Sequence, residues 1–268
     1  MGTTETAAAS RHRASQGRAA LHLSGFRSLV DSAAEGDFVQ GGFPLADGSF
    51  WPFREPDAVV VVEPGLLRVR IEKLTRGHDQ VQFLDNAKNM YFSKRRVATP
   101  ESGEVSLELP IRARITRGHD DDLYAGFVSL NLLDFETGMA LDWFVSNRIA
   151  ATVYARLPFP GAPPPADDDP SRPRYFCVFN EVRHDLTPGS QHRYGIAYDR
   201  AAATVRFHFD GEEVDRYEHV PSRIEGYSVA LGCMTEKPIG DAGSVSCFGQ
   251  GIRAEYGTVE VTGSPGLV

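Results

Sequence analysis

Two stretches of this chain, LLRVRIEKL and VSLELPIRARI, alternate apolar and charged residues with a period of two. Successive side chains of a strand point to opposite faces, so this pattern makes a sheet with one apolar side. Wound into a helix, it would scatter its apolar residues around the axis. In the first stretch Leu67, Val69 and Ile71 face one way and Arg68, Arg70 and Glu72 the other. In the second, Ile111, Ala113 and Ile115 oppose Arg112 and Arg114. Further strand candidates follow: AVVVVEP, AGFVSLNLLDF, MALDWFVS, RIAATVYARL, RYFCVFNEV, HRYGIAYD, TVRFHFDG, EEVDRYE, YSVALGCM and IRAEYGTVEV. Gly, Pro, Asn and Asp separate them, as turns require. Asp210-Gly211 in FDGEE marks a two-residue hairpin. Only SGFRSLVDSAA, around Phe26 to Ala34, holds a helical period. The class is therefore all-β, a sandwich or a barrel.

Length and charge bound the rest. The 268 residues are enough for one large β domain, and the formal charge of −8 argues against nucleic acid or an anionic membrane as partner. No apolar run reaches a membrane span. Residues 1 to 20 read as a disordered tail, polar and Ala-rich without the apolar core of a secretory signal. Residues 21 to 268 read as a single β-sandwich domain, interrupted by a Pro-rich loop over residues 158 to 174. Cys177, Cys233 and Cys247 are odd in number and widely spaced, which fits reduced thiols and a cytoplasmic location. There is no GxGxxG after a strand, no GxxxxGK[ST], no HExxH and no CxxC. Neither a cofactor nor a metal is expected. Oligomeric state is left open.

One block carries a family resemblance. QHRYGIAYDRAAATVRFHFDGEEVDRYEHVP resembles the back half of a concanavalin A-like lectin/glucanase jelly roll, with glycoside hydrolase family 16 the nearest pattern. His192-Arg193-Tyr194-Gly195-Ile196 and Phe209-Asp210-Gly211 match that family's paired strand motifs, and EVSLELPIRARI resembles an upstream strand. The resemblance spans roughly residues 55 to 260. It implies a two-sheet antiparallel jelly roll with a ligand groove. The family's hydrolysis needs two carboxylates flanking the sugar bond, placed on one strand around a central aspartate. The corresponding strand here is GMALDWFVSN. With Asp142 at the centre, Ala140 and Phe144 occupy the two catalytic positions. A one-residue slip would instead turn Met139, Leu141 and Trp143 to the groove. In neither register is the hydrolase pair present.

The pentapeptide TRGHD occurs twice, at Thr75 to Asp79 and Thr116 to Asp120. The plain reading is a strand exit with a glycine turn. The functional reading brings both copies to one rim, where His78, Asp79 and His119, with Asp142, supply acid/base chemistry. Gln80 and Gln82 share a strand face, and Asn86, Lys88 and Asn89 follow; together they read as a ligand-facing groove or as a solvent-facing edge strand. Trp51 and Trp143 stack a ligand or fill the core. Arg183 holds a ligand carboxylate or joins a surface charge cluster. Asp120, Asp121 and Asp122 read as a solvated acidic turn rather than a calcium site.

Three functions fit. The first is a cofactor-independent enzyme on a small molecule, of cyclase, isomerase or lyase type. The Ala-, Arg- and Gly-rich composition associates it with bacterial specialised metabolism. The second is a lectin-like protein that binds sugar without turnover, and the third is a scaffold with a vestigial groove. The expected ligand is accordingly a small or sugar-like molecule.

Overall fold

The structure is a computed structural model. It describes residues 20–31, 33–45, 47–75, 77–78, 86–170, 172–237 and 245–268. Of the expected tail, only Ala20 falls among them. In chain order the strands begin with β1 (Leu21–Leu23), β2 (Phe38–Gln40), β3 (Gly42–Pro44), β4 (Phe50–Pro52), β5 (Val59–Glu63), β6 (Leu66–Ile71) and β7 (Gly77–His78). There follow β8 (Asn86–Ser93), β9 (Val97–Ala98), β10 (Glu104–Thr116), β11 (Phe127–Asp134), β12 (Met139–Val145), β13 (Ala150–Arg156) and β14 (Phe176–Arg183). The chain closes with β15 (Gln191–Asp199), β16 (Thr204–Phe209), β17 (Glu212–Glu218), β18 (Gly226–Met234), β19 (Gly251–Gly257) and β20 (Val259–Thr262).

These strands make two large antiparallel sheets. One runs β17-β16-β15-β10-β19-β6-β5, with β20 joining β10 to β1. The other runs β14-β13-β12-β11-β18-β8-β2, with β7 on β8 and β9 on β18. A separate hairpin pairs β3 with β4. The period-two reading holds. Leu67, Val69 and Ile71 of β6, and Ile111, Ala113 and Ile115 of β10, all enter the buried layer between the sheets. Arg112 and Arg114 point to solvent. At the β16–β17 turn Asp210 and Gly211 both take positive φ (49° and 84°), the geometry a two-residue hairpin needs.

Two local expectations change. The helix expected around Phe26 to Ala34 shrinks to one 3-10 turn, Phe26–Leu29, because its one deep anchor is Phe26, stacked on Phe38 of β2 at 5.1 Å. The valine run of β5 lies at a sheet edge with Val59 and Val61 exposed.

The middle of the second sheet is buried on both sides, which explains why β11, β12 and β13 read as near-continuous apolar runs. Its inner face packs Leu130, Leu132, Leu141, Trp143 and Leu231 against the first sheet. Its outer face packs Phe127, Leu133, Ala140, Phe144 and Val153 into a second apolar cluster with Phe53 and Phe159. Trp143 joins the layers. It is fully buried, its ring meets Tyr194 and Phe207 edge-on at 5.2 and 5.8 Å, and its indole N–H donates to the Gly195 carbonyl of β15 at 2.9 Å.

We expect Trp143→Phe to lower unfolding stability by about 2–3 kcal/mol, since it leaves a small void and strips a buried carbonyl of its donor. Urea denaturation midpoints at constant slope check this.

Candidate functional site

Burying Trp143 forces its neighbour Asp142 to the opposite face, because adjacent side chains of a strand alternate. The antiparallel registers then align one row across the outer face: Phe92 of β8, Ala230 of β18, Asn131 of β11, Asp142 of β12 and Val153 of β13. The next row runs Met90, Gly232, Ser129 and Phe144. Gly232 keeps this floor low: a Cβ there would lie 2.6 Å from Ser129 Oγ and 3.1 Å from Met90 Cγ. Lys88 stands one row further along β8, opposite Met234.

Over this floor lies a cavity of about 380 Å³. One wall is the segment from Val39 to Phe53. It is pinned to β8 by bonds from Gly41 N to Met90 O (2.8 Å) and Met90 N to Phe53 O (3.0 Å), and closed on itself by Phe53 N to Gly41 O (2.9 Å). Gly41 lets the Phe92 ring lie close against this wall: a Cβ there would sit 2.2 Å from the ring and displace it. The opposite wall is Leu157, Phe159 and Pro160, the start of the Pro-rich segment. Arg156, fully buried at the end of β13, holds that segment by donating to the carbonyls of Pro163 (2.7 Å) and Pro173, and ties it to the β11–β12 turn through the Thr137 carbonyl (3.0 Å). The lining is mostly phenyl rings and aliphatic groups. Its polar members are Lys88, Asn131, Asp142 and Glu236.

Asp142 is only 5% exposed, and its Oδ1 has no hydrogen-bond partner among the described residues. Burial, reinforced by the nearby Glu236 charge and opposed by Lys88, raises its carboxyl well above the ordinary aspartate value. Glu236 shifts upward for the same leading reason, again opposed by Lys88. Lys88 is 7% exposed, with its Nζ 5.3 Å from the centroid of the Phe53 ring. Burial pulls its ammonium down to about 8, against the opposing pull of Glu236 and Asp142. Asn131 donates to Ser129 Oγ (2.9 Å) and the Ala230 carbonyl (3.1 Å), which fixes its amide in the floor. A carboxyl raised above its ordinary value and an amine lowered below its own thus line one apolar cavity, a pairing suited to proton transfer.

Residues 33–265 match the model of a family described as a family of unknown function, DUF6081. The chain belongs to DUF6081. No curated protein matches this DUF6081 chain. Among solved structures, LamA from Z. galactanivorans in complex with laminaritriose and laminaritetraose is similar at a TM-score of 0.55. Its identity is 12%, covering 84% of this chain and 92% of that one. LamAcat from Zobellia galactanivorans gives 0.53 at 12%, covering 84% and 90%. A structure from work on endo-acting O-glycanases of the human gut microbiota gives 0.52 at 10%, covering 85% of each chain. At these identities the likeness is one of fold, and it makes the DUF6081 chain a concanavalin A-like jelly roll. On its outer face Ala140 and Phe144 flank Asp142, so the carboxylates of the hydrolase pattern are absent from that strand.

Of the residues singled out in the sequence, Asp142 and Lys88 meet in the cavity. Trp143 faces the inter-sheet core and stacks no ligand. Asn89 shares that inner side: it is fully buried, its Oδ1 accepts from Glu55 N (3.3 Å) and its amide donates to Tyr91 Oη (3.1 Å). Asn86 is buried in β8 but does not line the cavity, and Trp51 packs on the outer cluster behind Phe43. Arg183 sits over the Phe209 ring (4.9 Å) and pairs with Glu212 (3.1 Å) at a sheet edge, away from the chamber. The side chain of His78, and Asp79, Gln80 and Gln82, lie outside the described residues.

Both TRGHD copies begin at one end of the first sheet: β6 and β10 flank β19, with Ile71 and Ile115 both opposite Ile252, and Arg117 of the second copy pairs with Glu72 (3.2 Å), shortly before the first copy. The first copy then enters β7 beside β8 of the second sheet. The second copy is a structural corner. Arg117 takes φ of 55° and donates to Gly249 O (2.8 Å), and Asp120 accepts from Asn147 Nδ2 (2.6 Å). His119 is exposed against Phe248 at 5.7 Å. Asp122 caps the 3-10 turn Leu123–Ala125 and pairs with Lys237, and no metal-ligand cluster exists among the described residues. Sequence reasoning missed Glu236, which follows β18 with no pattern around it. It also passed over Asn131, whose signal was a lone amide inside FVSLNLLDF.

Asp142→Asn should raise the melting temperature near neutral pH. A carboxyl with a raised folded pKa stabilises the fold only while protonated, so its stabilisation fades as the pH climbs from 3.8 through the folded value. The variant's advantage should close as the pH falls toward 3.8; an advantage independent of pH would contradict the assignment. His119→Ala should stay within about 0.5 kcal/mol of the parent, as exposed positions do.

Proposed function

We propose that the outer-face cavity binds a small organic molecule and acts on it by acid/base chemistry from the protein's own side chains, as an isomerase, lyase or cyclase does. The observation that carries this reading is Asp142: buried, its carboxyl raised well above the ordinary value by burial, and with Oδ1 unpartnered among the described residues in an apolar cavity. The phenyl rings of Phe43, Phe53, Phe92 and Phe144 take the apolar body of the ligand. Asp142 gives a proton to a ligand oxygen or to a carbon centre where charge develops, and Glu236 and Lys88 return it. The mostly apolar lining lowers the local dielectric, which strengthens each of these interactions. Asn131, fixed by its two bonds, presents its carbonyl oxygen to orient the polar end.

A sugar-like ligand is the second reading. It is favoured by phenyl faces standing beside Asp142, Asn131 and Glu236, a combination that stacks and hydrogen-bonds a pyranose, and by the fold shared with LamA, whose complex holds laminaritriose. Against hydrolysis stands the strand itself, where Ala140 and Phe144 can neither attack nor protonate a glycosidic bond.

Thermal-shift screening separates the two. Apolar mono- and bicyclic compounds that fit 380 Å³ should raise the melting temperature, and laminaritriose should not. For any compound that is turned over, Asp142→Asn should lower kcat by about 10²-fold or more while binding persists. Stabilisation by laminaritriose alone, without turnover, would select sugar binding.

A further inference from the structure

We propose that Lys88 captures a carbonyl compound in the cavity, its Nζ condensing with an aldehyde or ketone to form an imine. This rests on the cavity being a ligand site and names the substrate class: a small, mostly apolar carbonyl compound. Four placements support it. Lys88 lines the chamber while almost wholly removed from solvent. Its Nζ lies 5.3 Å from the centroid of the Phe53 ring, so the amine faces the same apolar space that a ligand would fill. The same floor carries two carboxyl groups, Asp142 and Glu236, close enough to act electrostatically on Lys88. Met90 and Met234 flank Lys88 along and across the sheet and keep water from its stem.

The chemistry balances with these groups alone. The neutral amine attacks the carbonyl carbon, forming the C–N bond while the C=O pair moves to oxygen. One proton passes from nitrogen to that oxygen, giving a carbinolamine. Protonated Asp142 then donates to the hydroxyl, which departs as water as the nitrogen lone pair closes the C=N bond. The result is a protonated imine beside an ionised Asp142. Burial serves both requirements: it shifts Lys88 toward the neutral amine and Asp142 toward the protonated carboxyl. The iminium draws electrons from its α-carbon, so Glu236 or Asp142 can then remove an α-proton. That route to isomerisation or elimination needs no cofactor.

The chain has four lysines, Lys73, Lys88, Lys94 and Lys237, which makes the test direct. Full-length protein is incubated with benzaldehyde or hexanal and sodium cyanoborohydride, and adducts are mapped by tryptic mass spectrometry. Lys88 should be labelled at least about tenfold faster than the exposed Lys73 and Lys94, as a buried, readily deprotonated lysine would be. Its labelling rate should rise with pH and level off above about 8. Lys88→Met should remove the fast adduct, and Asp142→Asn should slow it without moving label to other sites. Lys88→Arg, which keeps the charge and cannot form the imine, covers the case in which the methionine variant misfolds. Equal labelling of all accessible lysines, or an unlabelled Lys88, overturns the proposal. If apolar compounds still raise the melting temperature in that case, the imine has failed and the binding reading has not. If no compound does, the cavity reading has failed as well.

Discussion

The indole N–H of Trp143, bonded to the Gly195 carbonyl across the interior, couples the two sheets and fixes the register of β12 between core and outer face. Once that ring is buried, alternation leaves no choice for its neighbours. Asp142 and Phe144 must point outward, and Leu141 must point in. A strand shifted by one residue would bury a carboxyl in the apolar inter-sheet layer and expose a tryptophan, a penalty of several kcal/mol on both counts. The cavity's polar centre is thus a by-product of the core's strongest anchor.

That centre is costly for a domain whose stability rests on apolar burial. Two carboxyls and an ammonium sit against phenyl rings, and burial pushes each toward its neutral form. A core selected for stability alone would replace such a set with aliphatic residues at little loss or some gain. Here the set lines a ligand-sized cavity, one wall of which Arg156 ties down through the Pro163 and Pro173 carbonyls, and this is the ground for the proposed site. The rest of the surface charge behaves differently. Pairs such as Arg68–Glu63 and Arg216–Glu213 lie in solvent and perturb nothing nearby that could do chemistry.

Much of the fold was legible because its signals are local. β6 and β10 alternate without exception, the Asp210-Gly211 turn uses residues that accept left-handed backbone, and the Trp143 strand carries the jelly-roll pattern with its flanking carboxylates missing. The site was legible only in part. Asp142 and Lys88 stood out as charged residues in strand contexts, and both line the chamber. Both TRGHD copies start at one end of the first sheet, but the first turns into β7 against the second sheet, and nothing in the pentapeptide says which sheet the chain joins next.

By itself, the sequence determined the all-β class, the faces of its amphipathic strands, and the absence of a hydrolase carboxylate pair around Asp142, since each follows from residue types at a spacing of two. Only the tertiary structure decided that Asp142, Lys88, Asn131 and Glu236 share one chamber. They come from four different places, β12, β8, β11 and the end of β18, up to 148 positions apart. What unites them is the order in which strands hydrogen-bond side by side, and that order is set by burial of the whole inner face rather than by any short run of residues.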